Sequence, residues 1–311
     1  MPQPPLIPPP LDPHHMALIR MAVREDMGHG TYGTLQGDRT VELAIPQELR
    51  GVATIVARKP GVISGTYLLP AILREYQVGI DCTTLTPDGI AVQPGTAVAQ
   101  ISGSVRTILS AERVLLNFLG HLSGIATLTR RYVDAIAGTN TVICDIRKTT
   151  PAFRVLDKYA VRCGGGVNHR MGLYDGVMLK DNHLAALRER FGKDLTLAKL
   201  TKRIRGELPT DITLWLEVDT LDQLADEIAG GGANIILLDN MSCDQMRRAV
   251  QMRDALPIDK QSAKTKTPLL EASGGITLEN VRSVAETGGD RISIGARTHS
   301  APVLALSLEL A

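Results

Sequence analysis

Seven lysines and arginines, Arg147, Lys148, Arg154, Lys158, Arg162, Arg170 and Lys180, fall between residues 147 and 180 against two acids, Asp157 and Asp175. In a chain whose net charge is +1, this local surplus of five positive charges points to a pocket for a small, multiply charged anion. Guanidinium forks grip carboxylates two oxygens at a time, which makes arginine the residue suited to that task. His169 stands beside Arg170 in the same run. Arg154, Lys158 and Arg162 are spaced by four and read instead as a solvated helix face.

Further along, the charges change sign. Glu217 and Asp239 each close an apolar run. They can hold a magnesium ion that keeps most of its waters and touches a pyrophosphate, or form a rim pair that balances the lysines. The segment EASGGITLENV contains a Ser273-Gly274-Gly275 turn, and Thr277 reads as the N-cap of the helix after it. A second glycine turn lies at Gly295, with His299 four residues beyond. Such turns are anion-binding nests for a phosphate, or ordinary glycine turns. Cys163, beside three glycines, reads as a buried thiol, and His121 and His183 as packing or capping residues.

These residues need a scaffold that brings them to one mouth. Beyond residue 140, six apolar runs, TVICDI, GVMLK, TLWLEV, NIILLD, PLLEAS and RISIG, alternate with helical segments. That rhythm predicts parallel strands in a barrel or an open doubly wound sheet. No G-x-G-x-x-G follows any of the runs, so a barrel of about six strands is the expectation. In barrels, functional residues project from the carboxyl ends of strands. Arg147 with Lys148, Lys180, Glu217, Asp239, Ser273 to Gly275 and Gly295 follow or close the six runs in order.

Residues 14 to 27 predict an entry helix, ended by Gly28 and Gly30. From about 38 to 104, the runs VELAI, GVATIVA, GVISG, VGIDCTTL and AVAQISG predict a small α/β sandwich with a helix near 66 to 76. Residues 107 to 137 carry a long helical stripe that includes Ala111, Leu115, Phe118, Leu122, Ile125 and Ile136, expected to bridge two domains. Gly120 and Gly124 on this helix either admit another helix closely or are merely tolerated. The expected division is a proline-rich tail (1–12), the sandwich (13–120), the barrel (121–300) and a returning segment (301–311).

Composition excludes several functions. An aromatic content of 3% argues against stacking platforms for nucleic acid. No run approaches the ~20 apolar residues of a membrane span, and the N-terminus lacks a signal-peptide pattern. Four scattered cysteines without C-x-x-C spacing fit reduced thiols in the cytoplasm. AVQPGTAVAQISG resembles a lipoyl or biotinyl hairpin, but such carriers need a lysine on the turn, and residues 60 to 147 contain none.

With these residues in view, the chain resembles the quinolinate phosphoribosyltransferase family. The resemblance runs through AERVLLNFLGHLSGIATLTRRYVDAI (111–136), IRKTTPAFRVLDKYAVRCGGGVNHRMGLYDGVMLKDNH (146–183), LEVDTLDQL (216–224), IILLDNMS (235–242), EASGGITLENV (271–281) and DRISIGARTHSAP (290–302). It implies an α/β sandwich packed on an incomplete α/β barrel, and an obligate homodimer with shared active sites. It implies that Arg147, Lys148, His169, Arg170 and Lys180 bind quinolinate, with Arg113 reaching in from the other subunit. Glu217, Asp239, Ser273, Gly274, Gly275, Gly295 and His299 would bind the Mg2+ complex of phosphoribosyl pyrophosphate, with Glu217 and Asp239 as the metal ligands and Lys148, Lys180, Glu217 and Asp239 acting in catalysis. The product would be nicotinate mononucleotide, for NAD biosynthesis.

The chain departs from the family pattern at residues 31 to 34 (TYGT), at Ile146, at Val167 and at Arg297. Isoleucine at 146 removes a hydroxyl that could bond a substrate. The cationic set remains complete, and activity is expected to be retained. The nearest rivals are a related protein of molybdenum-transport clusters and a relative that uses nicotinate. Lys180-Asp181-Asn182-His183 favours the branch that takes a dicarboxylate.

Overall fold

A computed structural model describes residues 6–28, 37–191, 196–256, 268–295, 298 and 300–311. The TYGT segment, Gly30, Arg297 and His299 lie outside the described residues. The chain divides into two compact units: Met1–Arg130 with Thr149–Gly165 and Ala296–Ala311, and Arg131–Lys148 with Gly166–Gly295.

The first unit opens with α1 (Pro13–Asp26), whose N-cap Asp12 accepts the His15 N–H at 2.9 Å. The VELAI run, expected as a strand, is the short helix α2 (Arg39–Ala44). Asp38 is the reason: its carboxylate accepts the Val41 N–H at 3.0 Å, and an N-cap starts a helix whatever the β-propensity of the next few residues. Then follow β1 (Arg50–Ala57), β2 (Gly61–Val62), a 3-10 turn (Thr66–Leu68), α3 (Leu69–Tyr76), β3 (Asp81–Thr84), β4 (Ala91–Val92) and β5 (Ala97–Ser104). The long helix α4 (Val105–Ala135) comes next, and α5 (Arg154–Cys163) belongs to the same unit.

The main sheet of this unit is antiparallel, with β1 between β5 and the C-terminal strand Leu306–Leu310, and β3 outside β5. Its core is apolar and fully buried: Ile55 on β1, Ile101 on β5, Ile72 on α3 and the α4 stripe Ile108, Ala111, Leu115, Leu119 and Leu122. Spacings of three and four keep that stripe on one face of the helix. Gly120 and Gly124 admit extended backbone, not a second helix. The Leu304 N–H donates to the Gly120 carbonyl at 3.0 Å, and a Cβ on Gly124 would overlap the Pro302 carbonyl oxygen.

Around α5 the polar groups are internal. Asp88 accepts from Gly65 N–H, from the Thr66 N–H and hydroxyl and from the Tyr159 hydroxyl, at 2.8 to 3.0 Å. Cys163 is buried, accepts the Ser64 hydroxyl, and burial pushes its thiol up to about 12. His121 pairs at 2.8 Å with the fully buried Asp157. The solvated face expected for Arg154, Lys158 and Arg162 does not form: Lys158 is 1% exposed. Spacing by four places side chains on one face but does not say that the face looks at water. Asp157, Tyr159 and Val161 are buried alongside it, so α5 is enclosed on more than one side.

The second unit alternates strand and helix: β6 (Val142–Cys144), β7 (Gly176–Leu179), α6 (Asp181–Phe191), α7 (Leu197–Glu207), β8 (Thr213–Val218), α8 (Leu221–Ile228), β9 (Ile235–Asp239), α9 (Cys243–Asp254), β10 (Leu269–Ser273), α10 (Val281–Ala285) and β11 (Arg291–Ser293). All six strands are parallel, in the order β6-β11-β10-β9-β8-β7. β6 and β7, consecutive in sequence, therefore stand at opposite edges, as in an α/β barrel that is not closed. The free side of β6 is bridged by Val167, whose N–H donates to Ile143 O at 2.9 Å and whose carbonyl accepts Asp145 N–H at 3.1 Å. His183 caps the start of α6, its Nδ1 accepting the Lys180 N–H at 3.2 Å.

Two predictions follow from this packing. Gly124→Ala gains up to about 1 kcal/mol of helix propensity but meets a backbone it cannot displace cheaply, and overpacking of about 1–3 kcal/mol outweighs that gain. The variant should melt below the parent, and an equal or higher melting temperature would refute the close approach. Glu227 is buried on α8, accepting from the Thr201 hydroxyl and the Ala233 N–H, and desolvation raises its carboxyl above the usual range. Its raised folded value means a contribution to stability present at acid pH and lost as pH rises through that value. Glu227→Gln should therefore melt at or above the parent at pH 8, with the difference shrinking toward pH 4; a constant difference would count against the buried charge.

Candidate active site

Alternate residues of a strand share a face, and the register extends that face across a sheet. Met178 pairs with Trp215, Trp215 with Ile235, Ile235 with Leu269, and Glu271 with Arg291. One face of the six-stranded sheet thus carries Trp215 and Glu217, Leu237 and Asp239, Glu271 and Ser273, and Arg291 and Ser293, with Lys180 just past β7. The other carries Leu214, Leu216, Val218, Ile236, Leu238, Leu270 and Ile292, all buried. Charge lies on one face only, with Lys180, Glu217 and Asp239 toward the carboxyl ends of their strands and Glu271 and Arg291 deeper in the sheet.

At that end Lys180 forms an ion pair with Glu217 on the adjoining strand. Asp239 ends β9 in register with Ser273 of β10, and the Asn240 side-chain amide donates to its carboxylate at 2.8 Å. Ser273 O accepts the Asn240 N–H and Gly275 O accepts the Asn280 amide, at 2.9 and 3.0 Å. With its carbonyls tied to the protein, such a turn presents its N–H groups to an anion. Gly274 has φ +90°, and a Cβ there would overlap the Asn240 carboxamide. Thr277 is not the N-cap expected for the following helix: α10 starts at Val281 with Asn280 as N-cap. The Thr277 hydroxyl bonds Glu279 instead, lowering the pKa of that carboxyl, so a turn intervenes before the helix.

Arg147 and Lys148 lie a few residues past β6, the first half-buried and the second exposed. Arg170 is fixed twice, its N–H donating to His169 Nδ1 and its guanidinium Nη1 to Gly176 O, both at 2.8 Å. Asp175 folds the loop that follows by accepting the Met171 and Gly172 N–H groups. Burial, and then the like charge of Arg147, lower the pKa of Arg170, against the opposing pull of Asp175. The two guanidiniums therefore lie within electrostatic reach of one another. The Arg170 Nε is buried, with no protein acceptor among the described residues. A donor left in that state is costly unless a ligand or water meets it.

Beneath the mouth lies a buried polar layer that the sequence reading missed. Glu271 accepts from Arg291 Nε at 2.8 Å and from the Ser293 hydroxyl, and His169 Nε2 stands 3.7 Å from it. Asp145, fully buried, accepts the His169 N–H at 2.8 Å and the Asn168 amide at 2.5 Å. Burial acts against the charge of Arg291, but Cys144, Glu271 and Asp145 together raise its pKa. The signal in the sequence is that Glu271 and Arg291 are charged residues within otherwise apolar runs, at positions of the charged face and not at the closing position of each run.

The structure thus joins Lys180 with Glu217, Asp239 with the Ser273 turn, and Arg147 with Arg170 and His169. Gly295 follows β11. Arg113 lies on α4 in the first unit, 71% exposed and paired with Glu112 at 3.2 Å. Gly274→Ala should cost about 1–3 kcal/mol of local strain and weaken pyrophosphate binding at the turn. Calorimetric titration with inorganic pyrophosphate checks this, and undiminished affinity would remove the turn from the site.

Comparison with known proteins identifies the family. The family described as "Quinolinate phosphoribosyl transferase, C-terminal domain" matches residues 125–309, and its N-terminal domain counterpart matches 38–123. The nicotinate-nucleotide pyrophosphorylase [carboxylating] of Mycobacterium leprae is 39% identical over 295 residues, covering 94% of this chain and 95% of that one. The probable enzyme of the same name from Bacillus subtilis is 37% identical over 288 residues, covering 92% and 90%. The solved nicotinate-nucleotide pyrophosphorylase from Francisella tularensis superposes with a TM-score of 0.82 at 32% identity, over 96% of this chain and 98% of that one. On these matches and this architecture, the chain belongs to the quinolinate phosphoribosyl transferase family.

Proposed function

We propose that this chain transfers the phosphoribosyl group of phosphoribosyl pyrophosphate to quinolinate with decarboxylation, giving nicotinate mononucleotide, pyrophosphate and carbon dioxide in de novo NAD synthesis. The observation that carries the reading is the pair of like-charged guanidiniums, Arg147 and Arg170, within electrostatic reach of each other, with the buried Arg170 Nε unmatched. A dianionic aromatic acid offsets that like charge. Arg147, Lys148, Arg170 and Lys180 grip the two carboxylates, with His169 beside them. This holds the ring nitrogen where it can attack the anomeric carbon as pyrophosphate leaves. Positioning and charge complementarity do most of the work, since no side chain need become a nucleophile. Alkylation makes the pyridine nitrogen cationic, which stabilises the carbanion left when the adjacent carboxylate departs.

The Ser273-Gly274-Gly275 turn, Gly295 and His299 take the phosphates of the donor. Glu217 and Asp239, two carboxylates on one face of adjacent strands, suit a magnesium ion that keeps several waters and also meets pyrophosphate oxygens. Among the described residues no group of three or more His, Cys, Asp and Glu could hold a metal, so a closed protein cage is not the comparison to make. When bound, magnesium would neutralise charge on the leaving pyrophosphate. In our reading Arg113 exchanges Glu112 for the substrate of a second copy in a homodimer. Exposed Leu43 and Val78 are apolar surface such a copy could cover. No described helix is long and apolar enough to cross a membrane. Free cysteines support a reducing cytoplasm as the working compartment.

Incubation with quinolinate, phosphoribosyl pyrophosphate and magnesium should yield nicotinate mononucleotide; turnover of nicotinate in place of quinolinate would overturn the reading. Arg147→Ala should raise the quinolinate KM about 10- to 100-fold, the value of a charge-assisted bond, while the donor KM changes little. An unchanged quinolinate KM would remove Arg147 from the site.

A further inference from the structure

We propose that His169 is a positioning residue held as a neutral imidazole, with the proton on Nε2, and that it adds no charge to the cationic bowl. The inference rests on the reading that this bowl takes quinolinate, and it deepens that reading by assigning which groups supply the positive charge.

The argument starts from the ring nitrogens. Nδ1 accepts the main-chain N–H of Arg170 at 2.8 Å. An acceptor nitrogen carries no proton, so the single ring proton resides on Nε2, which faces the carboxylate of Glu271 at 3.7 Å. Converting the ring to imidazolium would place an Nδ1–H against the Arg170 N–H. Relief would require the Arg170 backbone to turn, yet that backbone is followed by a loop pinned by Asp175 and a guanidinium pinned to Gly176 O. The ring has little room to rotate away: its side chain is 3% exposed, it stacks on Trp215 with centroids 4.4 Å apart, and the His169 N–H is bonded to Asp145.

Among the described residues, several elements place groups around the ring. β10 gives Glu271, β11 gives Arg291, the end of β6 gives Asp145, β8 gives Trp215, and the local loop gives Arg170 with Arg147 beyond it. Glu271 already has Arg291 Nε at 2.8 Å and the Ser293 hydroxyl as donors. Histidine therefore acts as a neutral layer: one edge fixes the Arg170 backbone, and through it the guanidinium, while the other edge turns a donor toward the buried acid. The grip on a dianion comes from Arg147, Lys148, Arg170 and Lys180.

Two measurements on the full-length protein test this. In protein labelled with 15N-histidine, the His169 signals, assigned by their loss in His169→Asn, should show one protonated and one unprotonated nitrogen without change from about pH 6 to 8.5, the range in which an ordinary histidine titrates. Two protonated nitrogens at any point in that range, or a proton on Nδ1, would overturn the assignment. In kinetics, asparagine can present an oxygen to the Arg170 N–H where Nδ1 stood; glutamine reaches the Nε2 position and alanine neither. The quinolinate KM should rise about tenfold in His169→Ala, the effect of one lost hydrogen bond to a charged residue's backbone, with most of the loss rescued by Asn and not by Gln. Equal losses in Asn and Ala, or a wild-type quinolinate KM that rises about tenfold between pH 6 and 8.5, would sink the proposal. The nitrogen signals need no substrate, so a wild-type enzyme that ignores quinolinate would defeat the functional reading while leaving the proton assignment to be decided on its own.

Discussion

Concentrating positive charge in a half-buried place is the constraint on which the second unit is built. Burial, and then the like charge of Arg147, make the Arg170 guanidinium harder to keep charged. The protein sustains it by rigid anchoring and by acids placed below. Arg170 is tied to Gly176 and His169, Asp175 locks the loop, and Asp145 and Glu271 lie fully buried in the layer beneath. Such a site is poor at being empty and good at being occupied by an anion. Under the proposed function this is electrostatic preorganisation, with the charges of Arg147 and Arg170 held in place before the ligand arrives.

The parallel sheet makes that concentration possible. Its register brings alternate residues of six strands onto one face, and its opposite face is wholly apolar and buried. The apolar face supplies the stability that a charged interior withholds. On the charged face, Trp215 packs with Ile235 and Leu237, and the Glu271–Arg291 pair lies in register beside Leu237.

Much of this was legible in the chain itself. Six apolar runs bounded by turns gave the six strands, because parallel strands covered by helices read as short, dense hydrophobic stretches. Residues closing the runs led to Lys180, Glu217, Asp239 and Ser273. Other features depend on contacts between distant segments and could not be read locally. VELAI looked like a strand until Asp38 capped it as a helix, and Lys158 looked solvated because spacing reports a shared face and not its environment. Thr277 had the chemistry of a cap, but the intervening turn moved the helix start to Asn280. The two glycines of α4 announced a close neighbour without saying that it was the extended chain at residues 302 to 304. The Glu271 layer is the clearest case, since its meaning lies in a cross-strand register that pairs residues 271 and 291.

The C-terminal strand closes the sheet of the first unit, with Ala53 opposite Leu310. During synthesis on the ribosome, β1 must therefore wait for residues 306 to 310 before its sheet is complete. Until then the edge of β1 is an unpaired template, the kind of surface that invites association with other nascent chains. A fold that spans its own sequence in this way has high contact order and is expected to assemble slowly, with strands β7 to β11, whose partners lie closer in sequence, able to form first.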